Sequence, residues 1–185
     1  MANVYLLTGS PGAGKTTVIR EAIARTKAKA GGFCTEEIRS GGIRQGFRIT
    51  TLDGRNAILA HIDIFSHHRV SKYGVDTRNL DEVGVAALHR AIEESDLIVI
   101  DEIGKMELFS PRFKEAVLKA IDSGKKALGT IMLTPHPFAD EIKYHPKVKV
   151  VQVSRANHDQ VLREVISWLK LTADENKPQN NRQHR

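Results

Sequence analysis

The segment GSPGAGKT, residues 9–16, is the strongest indication of the fold in this sequence. It matches the pattern G-x-x-x-x-G-K-[ST] at every position, and this pattern is typical of loops that hold phosphate groups. Its glycines let the backbone wrap closely around phosphate oxygens, while the backbone N–H groups point inward. We predict that Lys15 reaches the terminal phosphates and that the Thr16 hydroxyl binds Mg²⁺. The predicted nucleotide contacts are Gly9, Ser10, Pro11, Gly12, Ala13, Gly14, Lys15, Thr16 and Thr17.

The sequence on either side of this loop has the periodicity that the pattern requires. Residues 3–8 (NVYLLT) predict a short buried strand, and apolar residues at 18, 19, 22 and 23 recur at helical spacing. A helix that begins near Lys15 adds the positive end of its dipole to the loop. Strand, loop and helix in this order favour a phosphate site over a chance glycine turn.

Strands and helices alternate along the rest of the chain, which predicts an α/β fold with a mainly parallel sheet. Residues 31–38 and 45–52 are β-rich and separated by Gly41 and Gly42, so we expect an antiparallel hairpin appended to that sheet. Residues 65–78 are irregular and polar, and we expect a loop there. Residues 1–171 form one predicted domain, and the polar residues 172–185 form a predicted disordered tail.

Two helix starts carry capping signals. Ser110 before Pro111 predicts an N-cap followed by a proline at the first helical position. Asn157 with Gln160 three residues later predicts a capping box at the start of the last helix.

Composition narrows the class of protein. The chain has 185 residues, a formal net charge of +6 and one cysteine, and no apolar run approaches the length that spans a bilayer. The first residues show no signal-peptide pattern, so we expect a cytoplasmic protein without a membrane partner. The positive charge suits an anionic partner such as a nucleotide. Nucleic acid is the less favoured partner, because the basic residues are scattered and lack flanking aromatic residues.

The segment IDEIGKMEL, residues 100–108, supplies two adjacent carboxylates at the end of an apolar strand. We predict that Asp101 holds the coordination shell of the Mg²⁺ ion. We predict that Glu102 is the base that orients and deprotonates the attacking water. The same letters fit the Asp-x-x-Gly pattern of GTP switches. Those switches also need Asn-Lys-x-Asp, whereas the only Asn-Lys here, at residues 176–177, is followed by Pro and Gln. Glu102 as a base is therefore the favoured interpretation.

Two interpretations stay open for Lys105, for Thr130 and for the pair of Glu37 and Arg39. Lys105 could supply positive charge to the transition state, as an internal counterpart of an arginine finger, or it could be solvated. We favour a structural role for Glu107. Thr130 could sense the γ-phosphate or water, or could simply be a strand-forming threonine. Glu37 and Arg39 share one face of a strand, where they form either a charge sensor or a surface salt bridge. The histidines at 61, 67 and 68 with Asp63 lack zinc spacing.

Taken together, these motifs resemble the small nucleoside-triphosphatases known from thermophiles and, in animals, as the cancer-related nucleoside-triphosphatase. The likeness runs from GSPGAGKTT through GGFCTEEIRSGGIRQGFRI and VSKYGVD to IDEIGKMELFS and GTI. It implies a RecA-like P-loop domain of three layers, a monomer, that hydrolyses several nucleoside triphosphates to diphosphates with Mg²⁺. It also implies nucleotide contacts along Leu97, Ile98, Val99, Ile100, Asp101, Glu102, Ile103 and Gly104. The chain departs from the family at Ser71 and His158, where glycine and arginine are frequent.

Three functions follow from these features. The leading hypothesis is a nucleoside-triphosphatase of low base selectivity, with Lys15, Glu102 and Lys105 as catalytic residues and Thr16 and Asp101 at the metal. The second is a kinase that passes the γ-phosphate to a nucleoside or small molecule, with Arg69 and Arg78 as lid residues. The third is an ATPase stimulated by nucleic acid.

Overall fold

The computed structural model describes residues 2–171. The predicted tail lies outside the described residues. The strands are β1 (Val4–Thr8), β2 (Ala30–Ser40), β3 (Ile43–Thr51), β4 (Asn56–His61), β5 (Arg69–Val70), β6 (Tyr73–Val75), β7 (Leu97–Ile103), β8 (Lys126–Ile131) and β9 (Val148–Gln152). The helices are α1 (Lys15–Thr26), α2 (Thr77–Asn79), α3 (Ala86–Glu94), α4 (Pro111–Asp122), α5 (Pro137–Lys143) and α6 (His158–Lys170). A π-helical segment, Leu80–Val85, joins α2 to α3, and a 3₁₀ turn, Glu107–Phe109, precedes α4.

The strands form one mixed sheet in the order β5-β6-β4-β3-β2-β7-β8-β1-β9. In this sheet order, the neighbouring strands β2-β7-β8-β1-β9 run parallel. The neighbouring strands β5-β6-β4-β3-β2 run antiparallel. The sheet is therefore half antiparallel, not mainly parallel. The predicted hairpin of β2 and β3 is continuous with the sheet and not an appendage, because residues 30–34 of β2 pair with β7 and residues 33–40 pair with β3.

The segment 65–78 is not the loop that its polar sequence predicts. It contains β5, β6 and the start of α2. Tyr73 and Val75 of β6 are buried in the core, and β6 pairs with β4 through residues 60 and 61. A strand of three residues is too short to show an alternating pattern, so only its long-range pairing reveals it.

Apolar residues alternate between the two faces of the sheet, as strand geometry requires. Ile98 and Ile100 of β7 join the cluster that contains α3, α4 and the π-helical segment. Leu97 and Val99 of the same strand join the cluster that contains α1 and α6. Helices therefore cover both faces of the parallel half, which gives three layers.

Two glycines let the neighbours of β7 approach it closely. A Cβ atom at Gly32 of β2, where φ is +112°, would lie 2.1 Å from the carbonyl oxygen of Val99. A Cβ atom at Gly129 of β8 would lie 2.2 Å from the carbonyl oxygen of Ile100. Any side chain at these positions would push the strands apart, so the glycines set the distance of β2 and β8 from the end of β7.

The two predicted helix starts have different outcomes. Ser110 caps α4 as predicted: its hydroxyl accepts a hydrogen bond from the N–H of Phe113 at 3.0 Å, with Pro111 next in the chain. Asn157 occupies the cap position of α6, but the capping box is wrong. The Asn157 side chain instead accepts from the N–H of Ser154 at 2.7 Å, and Gln160 donates to Glu164 at 3.2 Å. The Asn157 side chain closes the preceding turn and is therefore not available for the capping box.

Within residues 2–171, no helix is both long enough and apolar enough to cross a bilayer.

The single cysteine yields a prediction about reactivity. Cys34 is 4% exposed and lies opposite Asp101 in the β2–β7 register. Burial, followed by the charge of Asp101, raises the pKa of its thiol from 9.0 to about 12. Since the thiolate is the reactive form, we expect the folded protein not to react with Ellman's reagent between pH 7 and pH 9.

The control is the same titration in guanidinium chloride, which should release one equivalent of thiol per chain. Stoichiometric labelling of the folded protein within minutes at pH 8 would contradict the burial of Cys34.

Candidate functional site

The glycine loop lies between the carboxyl end of β1 and the start of α1. Gly9 has φ +145°, and a Cβ atom there would lie 2.4 Å from the carbonyl oxygen of Val153. Gly12 and Gly14 also have positive φ, at 76° and 92°. These conformations favour glycine, so the loop keeps the shape in which backbone N–H groups converge on an anion.

Lys15 folds back over this loop. Its ammonium group donates to the carbonyl oxygens of Gly9 at 2.8 Å and Ser10 at 3.1 Å. The positive charge therefore lies above the concave side of the loop, where a phosphate chain would lie along the N–H groups.

Asp101 connects the loop to the sheet. Its side chain is 4% exposed, and each of its oxygens accepts a hydroxyl hydrogen bond, from Thr16 at 2.7 Å and from Thr130 at 2.6 Å. Burial raises the pKa of Asp101, and the two hydroxyl donors oppose that rise. Thr35 of β2 donates to the carbonyl oxygen of the same residue at 2.9 Å. Three threonines from three elements thus hold Asp101 in one position.

The structure gives Thr130 a role beside its place in a strand, while its contact with the γ-phosphate or water stays a prediction. Strand β8 lies between β1 and β7, so the strand that ends in Asp101 is not the immediate neighbour of the strand that leads into the glycine loop. Thr130 of this central strand is fully buried and points at Asp101. It is a polar contact of the site and not only a strand-forming residue.

Glu102 follows Asp101 at the carboxyl edge of the sheet and is half-buried. Burial, followed by the charge of Asp101, raises the pKa of the Glu102 carboxyl, and the Lys15 ammonium opposes the rise. The carboxyl group packs against Gly104, where an added Cβ atom would lie 2.5 Å from Oε1. A side chain at residue 104 would therefore displace the carboxyl group from its position beside Asp101 and Lys15.

Glu107 and Lys105 lie in different environments and do not pair. Glu107 is 3% exposed, and burial, followed by the charge of Glu102, raises the pKa of its carboxyl well above the usual value. The backbone N–H groups of Glu107 and Gly104 oppose this rise in the pKa. Lys105 is exposed and forms no ion pair with any residue between 2 and 171.

Part of the predicted contact strand lies away from the site. Four residues of β7 are at most 2% exposed within the core: Leu97, Ile98, Val99 and Ile100. Ile103 is likewise buried at 1%. These side chains face the core and offer no surface to a nucleotide, so a contact could come only from their backbone, and their assignment as contacts stays a prediction. Their role is to hold the end of the strand, from which Asp101, Glu102 and Gly104 face the loop.

The basic residues of the antiparallel half lie far from the glycine loop. Arg39 pairs with Glu37 at 2.5 Å on the exposed hairpin, so the surface salt bridge is the correct alternative for this pair. Arg69 donates to the carbonyl oxygen of Lys72 at 2.8 Å, and Arg78 pairs with Glu82 at 3.3 Å. Six strand spacings separate β6 from β1 in the sheet order. At ~4.8 Å per spacing this is about 29 Å, too far for either arginine to cover phosphates in the loop.

His158 contacts the glycine loop, whereas the sequence showed it only as a departure from the family pattern. Its ring lies against the loop, and a Cβ atom at Gly14 would lie 2.7 Å from ring atom Cδ2. The imidazole also contacts Asp159 through Nδ1 at 3.2 Å. Only the fold could reveal this contact, because 144 positions separate the two residues in the sequence.

The oxygen atoms at Thr16 and Asp101 fit a hard cation. Mg²⁺ takes one or two protein oxygens and completes its shell with waters and phosphate oxygens. Within residues 2–171, no group of three or more His, Cys, Asp or Glu side chains is arranged to hold a metal ion. A single carboxylate beside a hydroxyl group at a phosphate loop therefore suits Mg²⁺ better than zinc.

Comparison with known proteins identifies the family of the chain. The family model described as NTPase matches residues 4–166. The nucleoside-triphosphatase THEP1 of Thermotoga sp. (strain RQ2) is 47% identical over 170 residues, covering 92% of this chain and 97% of the relative. The crystal structure of THEP1 from the hyperthermophile Aquifex aeolicus superposes with a TM-score of 0.83 at 35% identity, covering 91% of this chain and 99% of that one.

A second solved structure extends the likeness to animals. The solution structure of a human cancer-related nucleoside triphosphatase superposes with a TM-score of 0.78 at 35% identity. The match covers 92% of this chain and 98% of the human one. Sequence and fold therefore agree along almost the whole length, and the chain belongs to the THEP1-type NTPase family.

Proposed function

We propose that the protein is a Mg²⁺-dependent nucleoside-triphosphatase that converts nucleoside 5′-triphosphates of several bases to the diphosphate and phosphate. The observation that carries the proposal is the hydrogen bond between Thr16 of the glycine loop and the buried Asp101, with Glu102 next in the chain. This contact joins a phosphate-binding loop to a pair of carboxylates. Hydrolysis of a terminal phosphate requires these groups to bind the phosphates and the metal and to position the attacking water.

The glycine loop binds the phosphate chain in this proposal. Residues 9–17 supply inward N–H groups and the start of α1, and both favour negative charge. The Lys15 ammonium group leaves the carbonyl oxygens of Gly9 and Ser10 and binds the β- and γ-phosphates. The Ala13 N–H donates to the carbonyl oxygen of Ser10 at 3.2 Å. Because this turn exists before the nucleotide arrives, less ordering remains to be done on binding.

Thr16 and Asp101 hold the Mg²⁺ ion in this proposal. When bound, the ion neutralises charge that develops on the phosphate oxygens. Thr130 keeps Asp101 oriented by donating to its second oxygen at 2.6 Å. A carboxylate that is already fixed and buried does not have to reorganise during the reaction.

Glu102 orients the attacking water and accepts its proton. It lies at the carboxyl edge of β7, and Gly104 leaves room for its carboxyl group. Glu107 has a structural role in this proposal, because its side chain is buried three residues after Gly104. For Lys105, the contribution of positive charge to the transition state stays a prediction, which its exposure beside Gly104 permits.

The alternative functions find less support in the fold. A kinase needs cationic lid residues over the phosphates, and Arg69 and Arg78 lie about six strand spacings from the loop. An ATPase stimulated by nucleic acid has no specific observation in its favour. The monomeric state and the cytoplasmic location stay predictions.

The substitution Glu102→Gln tests the assignment of the base. The amide keeps the size of the side chain but accepts no proton, so we expect kcat for phosphate release to fall by a factor of about 10² to 10⁴. Nucleotide affinity, measured with a fluorescent non-hydrolysable triphosphate, should stay within a factor of about three because Lys15 and the loop are intact.

Glu94→Gln is the matched control, since Glu94 is exposed at the opposite end of the sheet. It should leave both quantities unchanged. Turnover by Glu102→Gln at the wild-type rate would show that another group activates the water.

The substitution Thr130→Val tests the support of Asp101. Valine has the shape of threonine but cannot donate, so one buried carboxylate oxygen loses its partner. We expect a loss of about 1–3 kcal/mol in the free energy of unfolding. The Mg²⁺ concentration for half-maximal phosphate release should also rise. Urea denaturation and a Mg²⁺ titration of activity measure the two effects.

Thr130→Ser retains the hydroxyl group and should restore the Mg²⁺ dependence while leaving a small cavity. If valine and serine shift the Mg²⁺ titration equally, the hydrogen bond to Asp101 is not what matters at this position.

A further inference from the structure

A cleft of about 530 Å³ lies outside the site described above, between the β2–β3 hairpin and the turn that joins β5 to β6. Three cationic side chains line it: Arg39, Arg44 and Lys72. Its apolar wall contains the rings of Phe47 and Tyr73 together with Met106. We call it the hairpin cleft. The proposed hydrolysis uses none of these residues.

Arg44 is held in one orientation within the hairpin cleft. Its Nε donates to the Tyr73 hydroxyl at 3.0 Å, and its Nη1 donates to Glu37 at 2.9 Å. The guanidinium carbon lies 5.2 Å from the ring centroid of Phe47 and 5.7 Å from that of Tyr73. A guanidinium group backed by two rings loses little side-chain freedom when it binds an anion.

Positive charge exceeds negative charge in the hairpin cleft. Arg39 and Arg44 both pair with Glu37, which leaves one carboxylate shared by two guanidinium groups. Lys72 forms no ion pair with any residue between 2 and 171, and its ammonium group lies 5.6 Å from the Tyr73 ring centroid. Three cations therefore share a single acidic partner, and the cleft attracts anions.

We propose that the hairpin cleft binds a second ligand, a small phosphate monoester of about the size of a nucleoside monophosphate. Nη2 of Arg44 makes no hydrogen bond within residues 2–171 and can donate to a phosphate oxygen, and the nearby Lys72 adds a mobile positive charge. The volume of about 530 Å³ falls within the range of small-molecule sites and exceeds the needs of a bare phosphate ion. The ring of Phe47 and the side chain of Met106 offer apolar surface to the organic part.

The position of the cleft separates this ligand from the hydrolysed nucleotide. Strands β2 and β3, which carry Arg39 and Arg44, lie three and four strand spacings from β1. At ~4.8 Å per spacing this is about 14 and 19 Å, so both arginines lie away from the glycine loop. Met106 lies four residues after Glu102. The second ligand therefore touches the segment that follows the proposed base.

The test is isothermal titration calorimetry on the full chain with its glycine loop already filled. The protein is saturated with Mg²⁺ and a β,γ-imido triphosphate, and is then titrated separately with AMP, ribose 5-phosphate, inorganic phosphate and adenosine. We expect one equivalent of each ester to bind, with adenosine at least tenfold weaker. Absence of saturable ester binding would overturn the proposal. Inorganic phosphate binding as tightly as AMP would overturn the assignment of an organic ligand.

The double variant Arg39→Gln/Lys72→Gln localises the binding. It removes two charges and leaves Arg44 with its contacts, and we expect at least a tenfold loss of ester affinity. The matched control is Lys27→Gln/Arg55→Gln, which removes the same charge from exposed positions elsewhere. Equal affinity in the two double variants would place the ligand outside the hairpin cleft.

Thermal unfolding and phosphate release without ester accompany these titrations, and both should match the wild type. If the Arg39 substitution disturbs the hairpin, Lys72→Gln alone decides the question, because this ammonium group has no salt bridge to lose. An unchanged ester affinity in Lys72→Gln would then contradict the proposal.

Discussion

The buried carboxylate of Asp101 is the constraint on which the rest of the site depends. A charged group inside the core is costly unless donors surround it, and here the donors come from separate parts of the chain. Thr16 brings the start of α1, Thr130 brings β8, and Thr35 brings β2. The hydrogen bonds to the carboxylate and to the backbone carbonyl of Asp101 thus fix the glycine loop, the central strand and the hairpin relative to β7.

The order of the sheet makes these contacts geometrically available. Strand β8 stands between β1 and β7, so Thr130 faces Asp101 from the middle of the sheet. Gly129 and Gly32 bring β8 and β2 close to β7 because neither carries a side chain. The carboxylate pair is therefore in place before a nucleotide binds. Preorganised charge of this kind is the principal source of catalysis for phosphoryl transfer, since the protein does not have to reorganise during the reaction.

Features that depend on neighbouring residues in the sequence could be predicted, and features that depend on distant pairing could not. The glycine loop and the cap at Ser110 are local, and the structure has both. The insertion of β8 and the short strands of residues 69–75 arise from long-range pairing that leaves no periodicity. The capping box at Asn157 failed because a competing turn used the same side chain. The contact of His158 with Gly14 joins residues far apart in sequence.

The same distinction applies to the candidate site. An apolar strand that ends in a carboxylate predicts where the metal shell begins, but sequence cannot tell how much of that strand faces a ligand. Leu97 and Val99 pack on one face and Ile98 and Ile100 on the other, so only the end of the strand remains for the site. Glu102 lies near Asp101 and Lys15 at that end, and its role as the base stays a prediction.

A crystal structure with Mg²⁺ and a non-hydrolysable triphosphate is the most direct test of the site as a hydrolytic centre. Lys15 should leave the carbonyl oxygens of Gly9 and Ser10 and contact the γ-phosphate. A water molecule should lie in line with that phosphate and within hydrogen-bonding distance of Glu102. A Glu102 carboxyl turned away from an ordered in-line water, or a γ-phosphate placed beyond the reach of Lys15, would contradict the proposed hydrolysis.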